Sequence, residues 1–138
     1  MPTIFTRIIN GEIPCYKIAE NETCFAFLDI NPVSKGHTLV VPKVETDYLF
    51  NLKDEELSEL IAFAKPIAKA IDKAFGTIRT GVIVEGMLVP HAHIHLIPIY
   101  SDSQKFSLGQ PKIDFTKEEM IEIASAIRNE LSKWEYLC

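Results

Sequence analysis

The chain has 138 residues, of which 47% are hydrophobic and 24% are charged, and this length and apolar content predict a single domain over residues 1–138 with a sizeable core. It has no apolar run as long as a membrane span and no signal-peptide pattern, so we expect a cytoplasmic protein with no membrane partner. The formal net charge of −5 at pH 7 disfavours a nucleic-acid polymer as partner, although one nucleotide could still bind in a local pocket.

The first half of the chain predicts a short helix followed by three strands. The apolar spacing over 4–9 fits a helix that ends at Asn10-Gly11. Residues 16–19 and 24–28 are predicted to form a hairpin, and the second strand ends in Asp29. A loop with Asn-Pro and Gly signals follows, and a third strand over 37–41 is stopped by Pro42.

The second half predicts two long helices with a hairpin between them. Helical spacing runs from Leu57 to Phe75, with Asn51 or Asp54 as the expected cap and a kink or break expected at Pro66. Strands are predicted over 82–84 and 92–97, followed by a loop over 101–111. A capping-box pattern at 116–119 begins a second amphipathic helix that reaches residue 134. Together these elements predict an α+β domain built around an antiparallel sheet of about five strands.

Three of the four histidines, His91, His93 and His95, alternate with apolar residues. Alternation predicts a strand that carries the three imidazoles on one face. Neutral imidazole predominates at pH 7 and can act as nucleophile, base or metal ligand. Neighbouring pairs lie roughly 6.5 to 7 Å apart and could share a metal with a ligand from elsewhere, but a cage of all three from one strand is not expected.

The three cysteines, Cys15, Cys24 and Cys138, are widely spaced and form no C-x-x-C pair. This pattern is not that of a disulfide framework or of a cysteine zinc site. We therefore expect ordinary reduced thiols.

Several motifs agree in order with one known family. They are the triad with its apolar neighbours, the stretch Phe27-Leu28-Asp29-Ile30-Asn31-Pro32, the stretch Gly36-His37-Thr38-Leu39-Val40-Val41-Pro42-Lys43, and the segment over 4–14. With these motifs the chain resembles a histidine-triad (HIT) protein of the Hint-like branch over roughly residues 3–98. The resemblance implies a five-stranded antiparallel sheet with a long helix and a C-terminal helix. It also implies a homodimer in which two such sheets pair.

The resemblance further implies a nucleotide hydrolase or transferase that acts on purine nucleoside phosphoramidates or related nucleotides through a nucleotidyl-histidine, without cofactor or metal. His93 would be the nucleophile, and His91, His95 and His37 would surround the phosphate. Asp29 would bind the ribose hydroxyls, although an aspartate there could also simply cap the following turn. The side chains implied around the purine are Ile4, Phe5, Ile8, Phe27, Ile30 and Leu39.

The segment before the triad departs from the family pattern. Val84, Met87 and Leu88 stand where the family usually has Asn, Gln and Ser or Thr. Loss of such polar groups weakens catalysis more than binding, so a second hypothesis is a nucleotide-binding module with weak or lost turnover. A third is a metal-binding protein that uses two of the triad histidines. Thr3 and Thr6 stand where some bacterial members have zinc-binding cysteines, so that structural zinc is not expected.

Overall fold

The structure is a computed structural model that describes residues 2–135, so the prediction of a reduced thiol at Cys138 lies outside the described residues. The elements in chain order are helix α1 (Ile4–Ile9), strands β1 (Lys17–Glu20), β2 (Cys24–Leu28) and β3 (Thr38–Pro42), a 3₁₀ turn (Leu49–Asn51), helix α2 (Asp54–Phe75), strands β4 (Arg79–Ile83) and β5 (Ile94–Ile99), and helix α3 (Lys117–Glu135). The strands form one sheet in the order β1-β2-β3-β5-β4, and every neighbouring pair is antiparallel. The predicted α+β class is confirmed.

One face of the sheet, here called the helix face, is covered by α2 and α3. Leu60, Ile67 and Ile71 of α2 and Ile127 of α3 are at most 1% exposed and pack against strand residues such as Ile94. Burial of this apolar stripe is what holds two amphipathic helices on the sheet. Within residues 2–135, no helix combines the length and the apolar character needed to cross a bilayer.

Helix α2 corrects two predictions. The helix is not broken at Pro66, because the single donor that proline removes is outweighed by the buried stripe on either side of it, and the predicted kink there stays a prediction. Neither Asn51 nor Asp54 is its N-cap: Asn51 belongs to the 3₁₀ turn, and Asp54 is already helical. The backbone N–H of Lys53 instead donates to Glu56 Oε1 at 2.8 Å, and acidic residues fill the first turn, which suits the helix dipole.

The start of α3 follows its prediction. The N–H of Thr116 donates to Glu119 Oε1 at 2.8 Å, and the N–H of Glu119 donates to Thr116 Oγ1 at 3.0 Å. These reciprocal bonds satisfy donors that an open helix end would leave unpaired. The predicted capping box is confirmed.

The other face of the sheet, here called the pocket face, carries α1. Phe27 pairs with Leu39 across β2 and β3, and Leu39 pairs with His95 across β3 and β5, so the three side chains form a row on one face. Phe5 of α1 packs against this row. Thr3 caps α1 by accepting the N–H of Thr6 at 3.1 Å, and the helix ends at Asn10 as predicted.

The histidine strand begins later than predicted. Strand β5 starts at Ile94, which pairs with Val40, and the N–H of Ala92 donates to Thr46 O instead of to a strand. His91 and His93 therefore precede the strand, and the carbonyl of Pro42 at the end of β3 accepts from the His91 side chain and not from a ladder N–H. Strand β4 covers Arg79–Ile83 where 82–84 was predicted, and it pairs with β5 along its full length.

Candidate active site

A cavity of about 720 Å³ opens on the pocket face, a size that suits a small ligand. It is bounded by α1, by the ends of β2 and β3, by the segment before the histidines and by a loop that precedes α3. Ten of the eleven residues predicted for the site line it: Ile4, Phe5, Ile8, Phe27, Asp29, Ile30, His37, Leu39, His93 and His95. His91 is the exception.

The inner half of the cavity is apolar and closely packed. Phe5, Phe27 and Leu39 are each at most 6% exposed, and the rings of Phe5 and Phe27 meet edge to face at 5.6 Å between centroids. Ile30 is 71% exposed and lies at the mouth. Flat aromatic and aliphatic walls of this kind suit a planar heterocycle.

The hydrogen bonds of His93 fix its tautomer. Its Nδ1 lies 2.7 Å from the backbone oxygen of His91, and because a carbonyl can only accept, Nδ1 carries the proton. The lone pair therefore resides on Nε2, the ring atom left for the cavity. The His93 ring is held edge to face against Phe5 at 5.1 Å and against His95 at 4.9 Å. This arrangement presents a fixed nucleophilic nitrogen.

Val33, His37 and His95 form a chain of hydrogen bonds in which Val33 sets the tautomer of His37 and His37 sets the tautomer of His95. The N–H of Val33 donates to His37 Nδ1 at 3.2 Å, so the proton of His37 is on Nε2. That Nε2–H donates to His95 Nδ1 at 2.9 Å, which leaves the proton of His95 on its own Nε2. His95 thus presents an N–H donor beside His93, suited to an oxygen on which negative charge develops.

Burial keeps three of the histidines neutral. It lowers the pKa of His37 to about 4. The pKa of His95 is also lowered to about 4, by burial and by repulsion from His37 when that ring is protonated. Burial also lowers the pKa of His91. Because His37 is uncharged at pH 7, its contact with Asp29 Oδ2 at 3.5 Å is not an ion pair.

Asp29 follows β2 and uses its two carboxylate oxygens differently. Oδ1 accepts the N–H of Asn31 at 2.8 Å, so the aspartate does cap the Asn31-Pro32 turn. Oδ2 lies toward His37, and burial raises the pKa of the carboxyl group. The carboxylate also lines the cavity, so Asp29 caps the turn and is still placed to accept hydrogen bonds from a ligand.

His91 does not surround the cavity, contrary to the prediction. It is fully buried, and its Nε2–H donates to Pro42 O at 2.7 Å. Its Nδ1 accepts from the Thr3 hydroxyl at 2.7 Å, and the Thr3 N–H donates to Glu45 Oε1 at 2.9 Å. The side chain therefore ties the start of α1 to the end of β3, while its backbone oxygen orients His93.

The segment before the histidines forms one wall of the cavity. Met87 is 86% exposed and Leu88 is 95% exposed, and both line the opening together with Glu85. Gly86 has φ +73, a left-handed conformation that lets the chain turn here. This wall is apolar with one carboxylate.

Within residues 2–135, one group of side chains brings three possible metal-binding atoms within 4.8 Å of one another: Asp29, His37 and His95. Their geometry does not favour a metal. His37 Nε2 carries the proton that the Val33 contact keeps off Nδ1, so it offers no lone pair to an ion. Both nitrogens of His91 are likewise engaged in hydrogen bonds.

Sequence reasoning missed the loop that closes one side of the cavity. The loop residues that line the cavity belong to none of the predicted motifs: Ser107, Leu108, Gly109 and Lys112. The stretch was predicted only as a loop. No local signal places it over the cavity, because its position depends on contacts with Pro32, Pro98 and Gly81.

Residues 10–102 of the chain match the family model of the HIT domain, which is more than half of its length. The chain belongs to the HIT family. It is 33% identical over 132 residues to adenosine 5′-monophosphoramidase hnt1 of Schizosaccharomyces pombe, an alignment that covers 95% of this chain and 99% of the relative. It is 35% identical to the protein hit of Bacillus subtilis, with 94% of each chain covered.

The fold is also that of solved HIT structures. A hypothetical histidine triad nucleotide-binding protein from Sulfolobus tokodaii superposes with a TM-score of 0.85 at 28% identity, covering 95% of this chain and 93% of that one. The prediction of a HIT-like five-stranded sheet with a long helix and a C-terminal helix is therefore confirmed.

Proposed function

We propose that the protein is a HIT-type hydrolase or transferase that cleaves purine nucleoside phosphoramidates or related nucleotides. The observation that carries the proposal is the hydrogen bond from His93 Nδ1–H to the His91 carbonyl, because it leaves Nε2 as a fixed nucleophile in a nucleotide-sized cavity. The similarity to a relative named as an adenosine 5′-monophosphoramidase supports the same reaction class.

In the proposed reaction, His93 Nε2 attacks the α-phosphorus of the bound nucleotide. A bond forms between that nitrogen and phosphorus, the phosphorus–nitrogen bond to the leaving group breaks, and the amine departs after taking up a proton. Water then attacks the nucleotidyl-histidine, which releases the nucleoside monophosphate and regenerates the neutral imidazole. The N–H of His95 stabilises charge on the phosphoryl oxygens in both steps.

The rest of the nucleotide is placed by the surrounding side chains. We assign the purine to the apolar inner half between Phe5, Phe27 and Leu39. The carboxylate of Asp29, at the end of β2, accepts hydrogen bonds from the ribose hydroxyls. His37 acts through His95, whose tautomer it sets, and His91 acts through its backbone oxygen.

A second candidate is a nucleotide-binding protein with weak turnover. It is favoured by one observation, the exposed apolar side chains of Met87 and Leu88 on the wall of the cavity that His93 and His95 also line. Such side chains offer no hydrogen bonds to a phosphate or to a leaving group. Binding in the inner half of the cavity would be unaffected.

Steady-state turnover of an adenosine phosphoramidate, with chelator present throughout, separates these candidates. Wild-type turnover that is lost in His93→Ala, while AMP still binds the variant, supports histidine nucleophilic catalysis. Full activity in His93→Ala refutes the mechanism. AMP binding by the wild type with turnover at background supports the second candidate. Turnover that is absent with chelator but appears in a parallel assay with a divalent metal in place of the chelator contradicts the metal-free scheme.

We also propose that the protein is a homodimer that pairs through β4. β4 is an edge strand, and Ile78, Val82 and Val84 are each at least 40% exposed on one side of it. An edge with apolar side chains is suited to pairing with a second copy. Sedimentation should show a dimer for the wild type and a monomer for Val82→Glu; a monomeric wild type contradicts the proposal.

The remaining proposals concern the setting in which the protein acts. We propose a single domain, because all five strands join one sheet and both long helices cover the same face of it. We propose a cytoplasmic location, supported by the free thiols of Cys15 and Cys24. The net charge of −5 supports a small nucleotide as ligand in preference to a nucleic-acid polymer.

A further inference from the structure

A cavity that holds a nucleotide must accommodate the negative charge of the phosphate. The buried histidines contribute little positive charge, since the pKa values of His37 and His95 are about 4 and both rings are neutral at pH 7. Two carboxylates, Asp29 and Glu85, also line the cavity. Among the described lining residues, Lys112 is the one lysine or arginine.

Lys112 belongs to residues 104–113, here called the strap, which follow β5 and run along one side of the cavity. The strap is held at both ends by hydrogen bonds to backbone oxygens: Gln104 Nε2 donates to Pro98 O at 2.8 Å, and the N–H of Ile113 donates to Pro32 O at 2.8 Å. Between them, the Phe106 ring sits so close over Gly81 that a Cβ there would lie 2.5 Å from the ring. These contacts fix the backbone beside Lys112.

The side chain of Lys112 is oriented within the strap. Its Nζ donates to Leu108 O at 2.8 Å, which uses one of the three N–H groups of the ammonium. Its charge also reaches the buried histidines: burial is the main cause of the low pKa of His37, and the charge of Lys112 is the second. The same charge opposes the effect of burial on the pKa of Asp29.

We propose that Lys112 is a substrate-binding residue that contacts the phosphate group of the nucleotide and so makes the site prefer nucleotides to uncharged nucleosides. The inference rests on the proposed function, because it takes the cavity as the nucleotide site. It adds a specificity residue from a part of the chain that the histidine motif does not include. The ammonium supplies the full positive charge that the neutral imidazoles lack.

Calorimetric titrations with AMP and with adenosine test the proposal on the full chain. Lys112→Gln should weaken AMP binding about fivefold, the upper range for an exposed charge pair, and should leave adenosine binding unchanged. Lys112→Arg should keep most of the AMP affinity. Lys105→Gln is the matched control, because Lys105 lies exposed on the same strap but does not line the cavity.

The two ligands separate the possible outcomes. An equal loss for AMP and adenosine in Lys112→Gln would mean that the strap only shapes the cavity, and an unchanged AMP affinity would mean that the ammonium does not meet the phosphate; either result overturns the proposal. If the wild type binds AMP and Lys112→Gln binds it with the same affinity, only this inference is refuted. Wild type that binds neither ligand refutes the proposed function as well.

Discussion

Replacing His91 with alanine should affect stability far more than chemistry. The ring is fully buried and donates to Pro42 O. Its loss leaves this carbonyl without a partner, which lowers the free energy of unfolding by about 1 to 3 kcal/mol. The vacated space adds about 2 kcal/mol. We expect the free energy of unfolding to fall by about 3 to 5 kcal/mol, a large share of the 5 to 15 kcal/mol typical of a domain.

For turnover we expect the reverse contrast, a small loss in His91→Ala and a large loss in His93→Ala. The nucleophile of His93 is oriented by the backbone oxygen of residue 91, which alanine retains, so kcat per folded molecule in His91→Ala should stay within about tenfold of wild type. His93→Ala should lose about a thousandfold or more, with a smaller loss of stability.

Urea unfolding and phosphoramidate turnover, measured on both variants at a temperature where His91→Ala is folded, test this contrast. Thr3→Val is a milder second variant, which removes the cap of α1 and the hydroxyl that bonds to His91 and should cost about 1 to 2 kcal/mol. The reasoning is refuted if His91→Ala unfolds like wild type, or if it loses as much kcat as His93→Ala while remaining folded.

Three further predictions concern pH, the ribose and the anchoring of β5. Burial lowers the pKa of His37 and His95 from 6.5 to about 4, so the unfolded chain binds more protons than the folded chain between these pH values. Stability should therefore be fully present above pH 6.5 and fall as pH drops toward 4, by roughly 3 kcal/mol or more for the two rings together. Urea unfolding at pH 7, 6 and 5 that gives one constant free energy would contradict this. Asp29→Asn should weaken binding of AMP about tenfold but leave 2′,3′-dideoxy-AMP unchanged, and equal losses for both ligands would rule out the ribose contact. Ser34→Ala removes the hydroxyl that donates to Pro98 O at 2.6 Å, but Gln104 donates to the same oxygen. The substitution should therefore lower the free energy of unfolding by only about 1 kcal/mol, and a decrease above about 3 kcal/mol would show that Gln104 does not compensate.

Local patterns in the sequence determined most of the secondary structure. The capping box at Thr116 and the apolar spacing of α2 and α3 each depend on neighbours within a few residues, and such signals can be recognised without a fold. The boundaries that failed, at Lys53 and at Ile94, are set by which partner a backbone group finds. At Ile94 that partner is the distant residue Val40, so tertiary structure decides the boundary. At Lys53 the partner is Glu56, three residues along the chain, so this signal is local, but lysine is not among the residues that usually mark a helix start.

Ten of the eleven residues predicted for the site line one cavity. The alternation of histidines could not distinguish a ring that faces the cavity from one that does not. His91 turns to Thr3 and Pro42, which are 88 and 49 positions away, because those groups satisfy both of its nitrogens. Tertiary contacts likewise decided the tautomer of each histidine and brought Lys112 to the cavity. Hydrogen bonds between distant segments set these features, and no periodicity encodes them.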